Sequence, residues 1–304
     1  MVEKWQILHS ILLVLLLLFA VLTVFAVGIY EFQWDNKLTR NFLTFVSLPA
    51  AVVNGKLIPL ARVNERLAAY RHLVSFQSDF DFSSGAGREK LSDERRAILT
   101  ALVEEEIVAD LAEKRGVVVT GRELERYFRY LLREFGMART QEADREIVKL
   151  LGLTGEQFKR AIVLPDLRRA QLAISLLTEA ADSEKYQLAV KTREELEAGK
   201  DFVETATSVS EDEETRYLGG ELGFMAEEDL PPWLSDAALD LELGEISEVI
   251  ISPEGYYLLQ VVARDERAEP PRVQLRQIVI KSDPLADYLM AQKQNYRVYV
   301  FAKL

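Results

Sequence analysis

Glycines cut the region from Gly219 to Val262 into short pieces whose order few folds can accommodate. The pair Gly219-Gly220, followed by Gly223, permits positive φ or close backbone approach, so a tight turn opens the region. Leu230-Pro231-Pro232-Trp233-Leu234, with Ala237-Ala238-Leu239 after it, reads as a short helix entered through proline. Leu243-Gly244-Glu245-Ile246-Ser247 reads as a second turn. Val249-Ile250-Ile251 and Tyr257-Leu258-Leu259 are apolar runs flanking a segment with Gly255, the pattern of a hairpin. Turn, helix, turn and hairpin specify a small α+β unit, and composition alone assigns it no chemistry.

Several chemistries are excluded at once. The 304 residues contain no cysteine, so neither disulfides nor thiolate metal sites are available, which suits an oxidising exterior. The two histidines, His9 and His72, lie far from this region, so it holds no histidine-based metal site or triad. A net charge of −12 argues against nucleic acid as partner, because phosphate binding needs clustered Lys and Arg.

The order GG-acid-LG, a proline-entered helix with paired alanines, GE-x-S, and glycine-aromatic before the last strand resembles the parvulin family of peptidyl-prolyl isomerases. The likeness extends back through Phe202 to Ser210. It implies a small parvulin-like α+β domain with a mixed or antiparallel sheet over 183–304, and an activity that needs no metal and no cofactor. In this family a first strand precedes the helix that runs into residue 202, but here Ala180 to Lys185 is polar and small. A candidate strand appears instead at 273–280, Val273 to Ile280, so the domain is expected to be circularly permuted. Asp283-Pro284 then supplies N-cap and N1 of a short helix, and Tyr296 to Phe301 a final strand.

The resemblance also implies site residues. Its proline pocket falls on Leu222, Leu230 and Leu234, with Glu254 at a position the family fills with serine. These leucines are equally what an ordinary core would use. The family's two histidines fall on Tyr257 and, given the permutation, on Gln277, and its cysteine or aspartate near Glu213 within an acidic run. Tyr257 and Gln277 can hydrogen-bond but do not reproduce an imidazole pair.

Upstream, Trp5 to Tyr30 carries no charged side chain, enough helix to span about 30 Å of hydrocarbon. We read residues 1–30 as a retained single-pass transmembrane anchor in contact with the lipid bilayer, with Trp5 and Tyr30 at the interfaces. A cleaved signal peptide ending near Ala26-Val27-Gly28 is the rival reading. Flanking charge barely sets orientation, and the resemblance places the bulk of the chain outside the cytoplasm. Residues 31–49, with Phe32, Trp34, Leu38, Phe42 and Phe45, either lie in the interface or pack on the next domain.

From Ala51, the Asn54-Gly55 pair between apolar runs predicts a hairpin, followed by a helix over Leu60 to Phe76. Residues 77–92 read as a mobile polar loop. Helices follow over 93–115, from a capping box at Thr120 to Phe135, over 140–151, from Thr154, and around Pro165 to about Ala181. Thr192 to Glu195 reads as one more capping box. The stretch 50–182 resembles the helical N-terminal domain of SurA-type chaperones. Two functions fit: a membrane-tethered isomerase acting on X-Pro bonds of unfolded exported polypeptides, or a non-catalytic holdase with a degenerate parvulin domain.

Overall fold

The computed structural model describes the backbone of residues 2–30, 34, 37–137 and 140–302, and leaves undescribed the side chains of positions 2–14, 18, 37, 40, 44, 45, 140 and 141 within it. In chain order come helices α1 (Val2–Tyr30) and α2 (Lys37–Phe45), then the hairpin β1 (Pro49–Val53) and β2 (Lys56–Pro59). Helices α3 (Leu60–Gln77), α4 (Gly85–Lys114), α5 (Gly121–Glu134), α6 (Thr140–Leu151), α7 (Gly155–Phe158), α8 (Leu164–Glu179), α9 (Glu184–Glu197) and α10 (Phe202–Val209) follow. Strand β3 (Glu221–Ala226), helix α11 (Pro232–Asp240) and strands β4 (Ile250–Ser252), β5 (Gly255–Asp265) and β6 (Arg272–Lys281) come next. Helix α12 (Pro284–Lys293) and strand β7 (Val298–Val300) complete the order. The chain is α+β, in two compact units: Met1–Glu106 with Tyr296–Leu304, and Ile107–Asn295.

In the first unit Asn54 and Gly55 both take positive φ, 48° and 87°, which closes the two-residue turn between β1 and β2. Strand β7, read from the sequence as part of the 183–304 segment, instead pairs antiparallel with β1, Ala51 opposite Val300. The Asn54 side chain fixes this return by accepting from the Arg297 backbone N–H at 2.8 Å. Ala50, Ala51, Val53, Ile58 and Val63 form its buried centre. The chain is helical from Val2 to Tyr30, through the uncharged run that starts at Trp5. Among the described residues, however, no helix is long and apolar enough to cross a membrane. The interfacial places read for Trp5 and Phe32 lie outside the described residues.

Two local expectations are corrected. The mobile loop read over 77–92 ends at Ser84, whose hydroxyl accepts from the Gly87 N–H at 3.0 Å and starts α4 eight residues early. Thr192 caps nothing: it sits inside α9 with its hydroxyl bonded to the Leu188 carbonyl one turn back, while Ser183 caps that helix. The capping boxes at Thr120 and Thr154 form as read.

The second unit holds a four-stranded antiparallel sheet in the order β3-β6-β5-β4. The strand read at 273–280 is β6, an interior strand, with Leu275 opposite Gly223 of β3 and Val261 of β5. Alternation along the strands splits the unit into two layers. One face carries Leu258 and Ile278 against Leu196, Phe202 and Ala206 of α9 and α10. Next to them Tyr256 and Ile280 pack on Leu177 and Ala189. The other face carries Tyr257, Leu259, Leu275 and Val279 beneath Leu230, Leu234 and Ala238 at α11. Each leucine so buried contributes about 1.5–3 kcal/mol of transfer free energy.

Candidate functional site

The face beneath α11 is where the site residues meet. Tyr257 and Gln277 both point to it, because Gln277 stands opposite Leu259, two residues along β5 from Tyr257. The loop preceding β3 is stitched to the part of β6 that extends beyond its pairing with β3. Ser210 Oγ accepts from the Val279 N–H at 3.1 Å, Glu211 N–H donates to the Val279 carbonyl at 2.7 Å, and Gln277 N–H donates to the Gly220 carbonyl at 2.8 Å. Gly220 has φ +79°, and a Cβ there would overlap the Gln277 carbonyl oxygen, so this closeness requires glycine.

That stitching sets a carboxylate against Gln277, and it is Asp212 rather than Glu213. The Gln277 amide donates to Asp212 Oδ2 at 2.9 Å, and the Thr215 hydroxyl donates to the same oxygen. Burial would raise the Asp212 carboxyl. The Thr215 hydroxyl, the Gln277 amide and the N–H groups of Glu214 and Thr215 outweigh it and hold the carboxyl below the usual range. Glu213 is exposed. Within this run of four carboxylates two meet β6: Asp212 takes the Gln277 amide, and Glu211 accepts from the Lys281 N–H at 2.7 Å.

Tyr257 is buried and donates its hydroxyl to Glu254 Oε2 at 3.1 Å. Burial first, then the Glu254 charge and hydrogen bond, and then the Asp212 charge push its pKa well up, so it stays a neutral donor. Of the three leucines read as pocket walls, Leu230 and Leu234 are 3% and 4% exposed inside the core, and Leu222 packs half-buried on its edge. The pocket side chains therefore pack against one another, and both polar side chains are engaged. The Ser247 hydroxyl, in the GE-x-S turn, accepts from the Leu259 N–H at 2.9 Å and ties that turn to β5.

A groove of about 970 Å³ opens beside this face, lined by α5, α8, Trp233 of α11 and the turn between β4 and β5. Tyr127 is one of its lining residues and is itself buried. Its ring lies 5.7 Å from Trp233 and 6.0 Å from Tyr130, and its hydroxyl donates to Asp166 Oδ2 at 2.6 Å. Helix α5 is held on α11 by Arg126, which donates to Asp236 Oδ2 at 3.0 Å and Ser235 Oγ at 2.6 Å. Arg133 adds a contact to Glu228 at 2.8 Å. Sequence reasoning missed this groove, because its rings come from segments some 110 residues apart. Glu254 belongs to both features: it accepts from Tyr257 and lines the groove.

A run of capped helices followed by a small antiparallel sheet is the two-part order expected from the sequence. Comparison with known proteins agrees. Residues 2–172 match the SurA-like N-terminal domain and residues 170–263 the PPIC-type PPIase (rotamase) domain. The chain belongs to the SurA-like N-terminal domain family and carries a parvulin-type isomerase domain behind it. The rotamase match stops short of β6, the strand that lies between β3 and β5. Among curated relatives, Chaperone SurA of Chromohalobacter salexigens is 24% identical over 77% of this chain and 61% of its own length. Foldase protein PrsA of Halalkalibacterium halodurans is 26% identical over 57% of this chain and 59% of its own. The chain thus spans about three fifths of the length of these relatives. A crystal structure of the peptidylprolyl isomerase PrsA from Bacillus anthracis covers 65% of this chain and 86% of that one, at 18% identity and a TM-score of 0.23.

Proposed function

We propose that the chain is a membrane-anchored folding factor that works outside the cytoplasm. It holds unfolded, exported polypeptides in the groove between its helices and its isomerase-type sheet, and its isomerase centre does not turn over. The observation that carries this reading is the closed face beneath α11. Leu230 and Leu234 are core, the Gln277 amide is spent on Asp212, and the Tyr257 hydroxyl on Glu254. Isomerisation needs an apolar hollow that excludes water and favours a twisted amide over the planar one. Opening such a hollow here would expose leucines and break both hydrogen bonds. The groove, in contrast, already presents two half-buried rings, Tyr130 and Trp233. The apolar helix α1 is the proposed anchor, on the strength of the uncharged run from Trp5 to Tyr30. The interior place of β6, which follows the other strands in sequence, supports reading the domain as circularly permuted.

The test uses the full chain in detergent, with a prolyl-exchange assay on X-Pro peptides beside an aggregation assay on an unfolded client. Exchange at the uncatalysed rate, tens of seconds or slower, with aggregation suppressed, is the expected pair of results. Acceleration that disappears in Leu222→Ala or Leu234→Ala would instead establish catalysis and overturn the closed-face argument.

A further inference from the structure

The groove is not evenly apolar. Among its lining residues Glu134, Asp166, Glu254 and Asp283 are acidic, while Arg169 and Lys281 are basic. Arg169 is itself partnered, and the Lys281 charge acts on Glu211. Asp166 and Glu254 each accept one tyrosine hydroxyl, from Tyr127 and Tyr257, through a single oxygen. Among the described residues their other oxygens, Asp166 Oδ1 and Glu254 Oε1, have no partner. The half-buried rings of Trp233 and Tyr130 line the same groove, each packed against the buried Tyr127 ring. Electron-rich ring faces rimmed by half-used carboxylates favour a cation, whereas either feature alone would not select one. A guanidinium or ammonium group also has the apolar stem to cross the ring surface before its charge reaches the acids.

We propose that this groove takes an extended client segment in which an arginine or lysine adjoins an apolar side chain, the cation seated on the Trp233 and Tyr130 rings within reach of Asp166 and Glu254. The inference rests on the client-holding reading above and adds the class of segment that is held. Burial, then the charges of Glu134 and Glu254, push the Tyr130 hydroxyl up to about 12, which agrees with a negative field over the rings. A cation over such rings tightens binding about five- to thirtyfold.

The test is fluorescence anisotropy on the full chain with three labelled peptides of one apolar sequence, differing only in Arg, Gln or Glu at a central position. The Arg peptide is expected to bind about five- to thirtyfold tighter than the Gln peptide, with Glu weakest. The Arg advantage should shrink with added salt and vanish in the volume-conserving pair Asp166→Asn with Glu254→Gln. Equal affinities for Arg and Gln in the wild-type chain, or an Arg preference that survives the double substitution, would overturn the proposal, even where aggregation of the client is still suppressed. Absence of both peptide binding and suppression would overturn the client-holding reading together with it.

Discussion

Replacing Gly220 by alanine tests whether the loop before β3 is a structural clamp on β6. Two costs separate cleanly here. Gly220 and Gly223 both have positive φ, +79° and +76°, so alanine at either pays for a left-handed backbone, about 1–2 kcal/mol. Around Gly223 a Cβ meets nothing within 4 Å, whereas at Gly220 it would overlap the Gln277 carbonyl. Relief of that overlap must pull the loop from β6 and break the bond from Gln277 N–H to the Gly220 carbonyl at 2.8 Å. Gln277 is 9% exposed, so its amide would be left largely unsatisfied, at a cost of about 1–3 kcal/mol. Gly220→Ala is therefore expected to lose about 2–5 kcal/mol and Gly223→Ala only about 1–2. For a unit of this size each kcal/mol is worth about 2–4 °C in melting temperature. Urea denaturation gives the energies, and hydrogen exchange at the Gln277 amide gives the mechanism, since that amide should lose protection only in Gly220→Ala. Equal destabilisation by the two substitutions, with Gln277 protected in both, would refute the clamp.

Two further outcomes follow from the same region. The folded Asp212 carboxyl sits below its unfolded value of about 3.9, so its stabilisation is present above about pH 4 and lost as pH falls through the folded value. Wild-type chain should accordingly outlast Asp212→Asn in thermal melts from neutral pH to about pH 4, with the gap closing below; a constant gap would contradict the assignment. Ser247→Ala removes the acceptor for the buried Leu259 N–H and should cost about 1–3 kcal/mol, seen as a lower urea midpoint at unchanged slope. An unmoved midpoint would mean that this amide finds another acceptor.

Much of the fold was legible because local chemistry dictated it. Asn54-Gly55 can hardly be anything but a two-residue turn, Thr120 with Glu123 closes a capping box, and Asp283-Pro284 starts α12 with the aspartate accepting from the Leu285 N–H. Strand β6 was readable from its apolar alternation and from the missing strand upstream of α9. Other features turn on distant partners. Four adjacent carboxylates at 211–214 look alike in sequence, and only the approach of β6 separates them, engaging Asp212 through the Gln277 amide and Glu211 through the Lys281 N–H. Thr192 with Glu195 matches a capping pattern as well as Thr120 does, but α9 was already under way from Ser183. Leucines at 222, 230 and 234 suit a wall or a core equally, and packing around α11 decided for core at two of the three. The tyrosines of α5 gave no signal, since their meaning comes only from Trp233.

The pairing of β7 with β1 bears on how the protein is made. Asn54 must wait for Arg297, 243 positions later, so the first hairpin leaves the ribosome with one flank bare. Residues 107–295 are contiguous and can fold during that interval. Closing a formless loop of such length costs about 5 kcal/mol, but a loop already condensed into a body has surrendered most of that freedom beforehand. Synthesis order thus lets the contiguous unit condense before the discontinuous one can close, and late folding of residues 107–295 would leave an open strand flank seeking other chains.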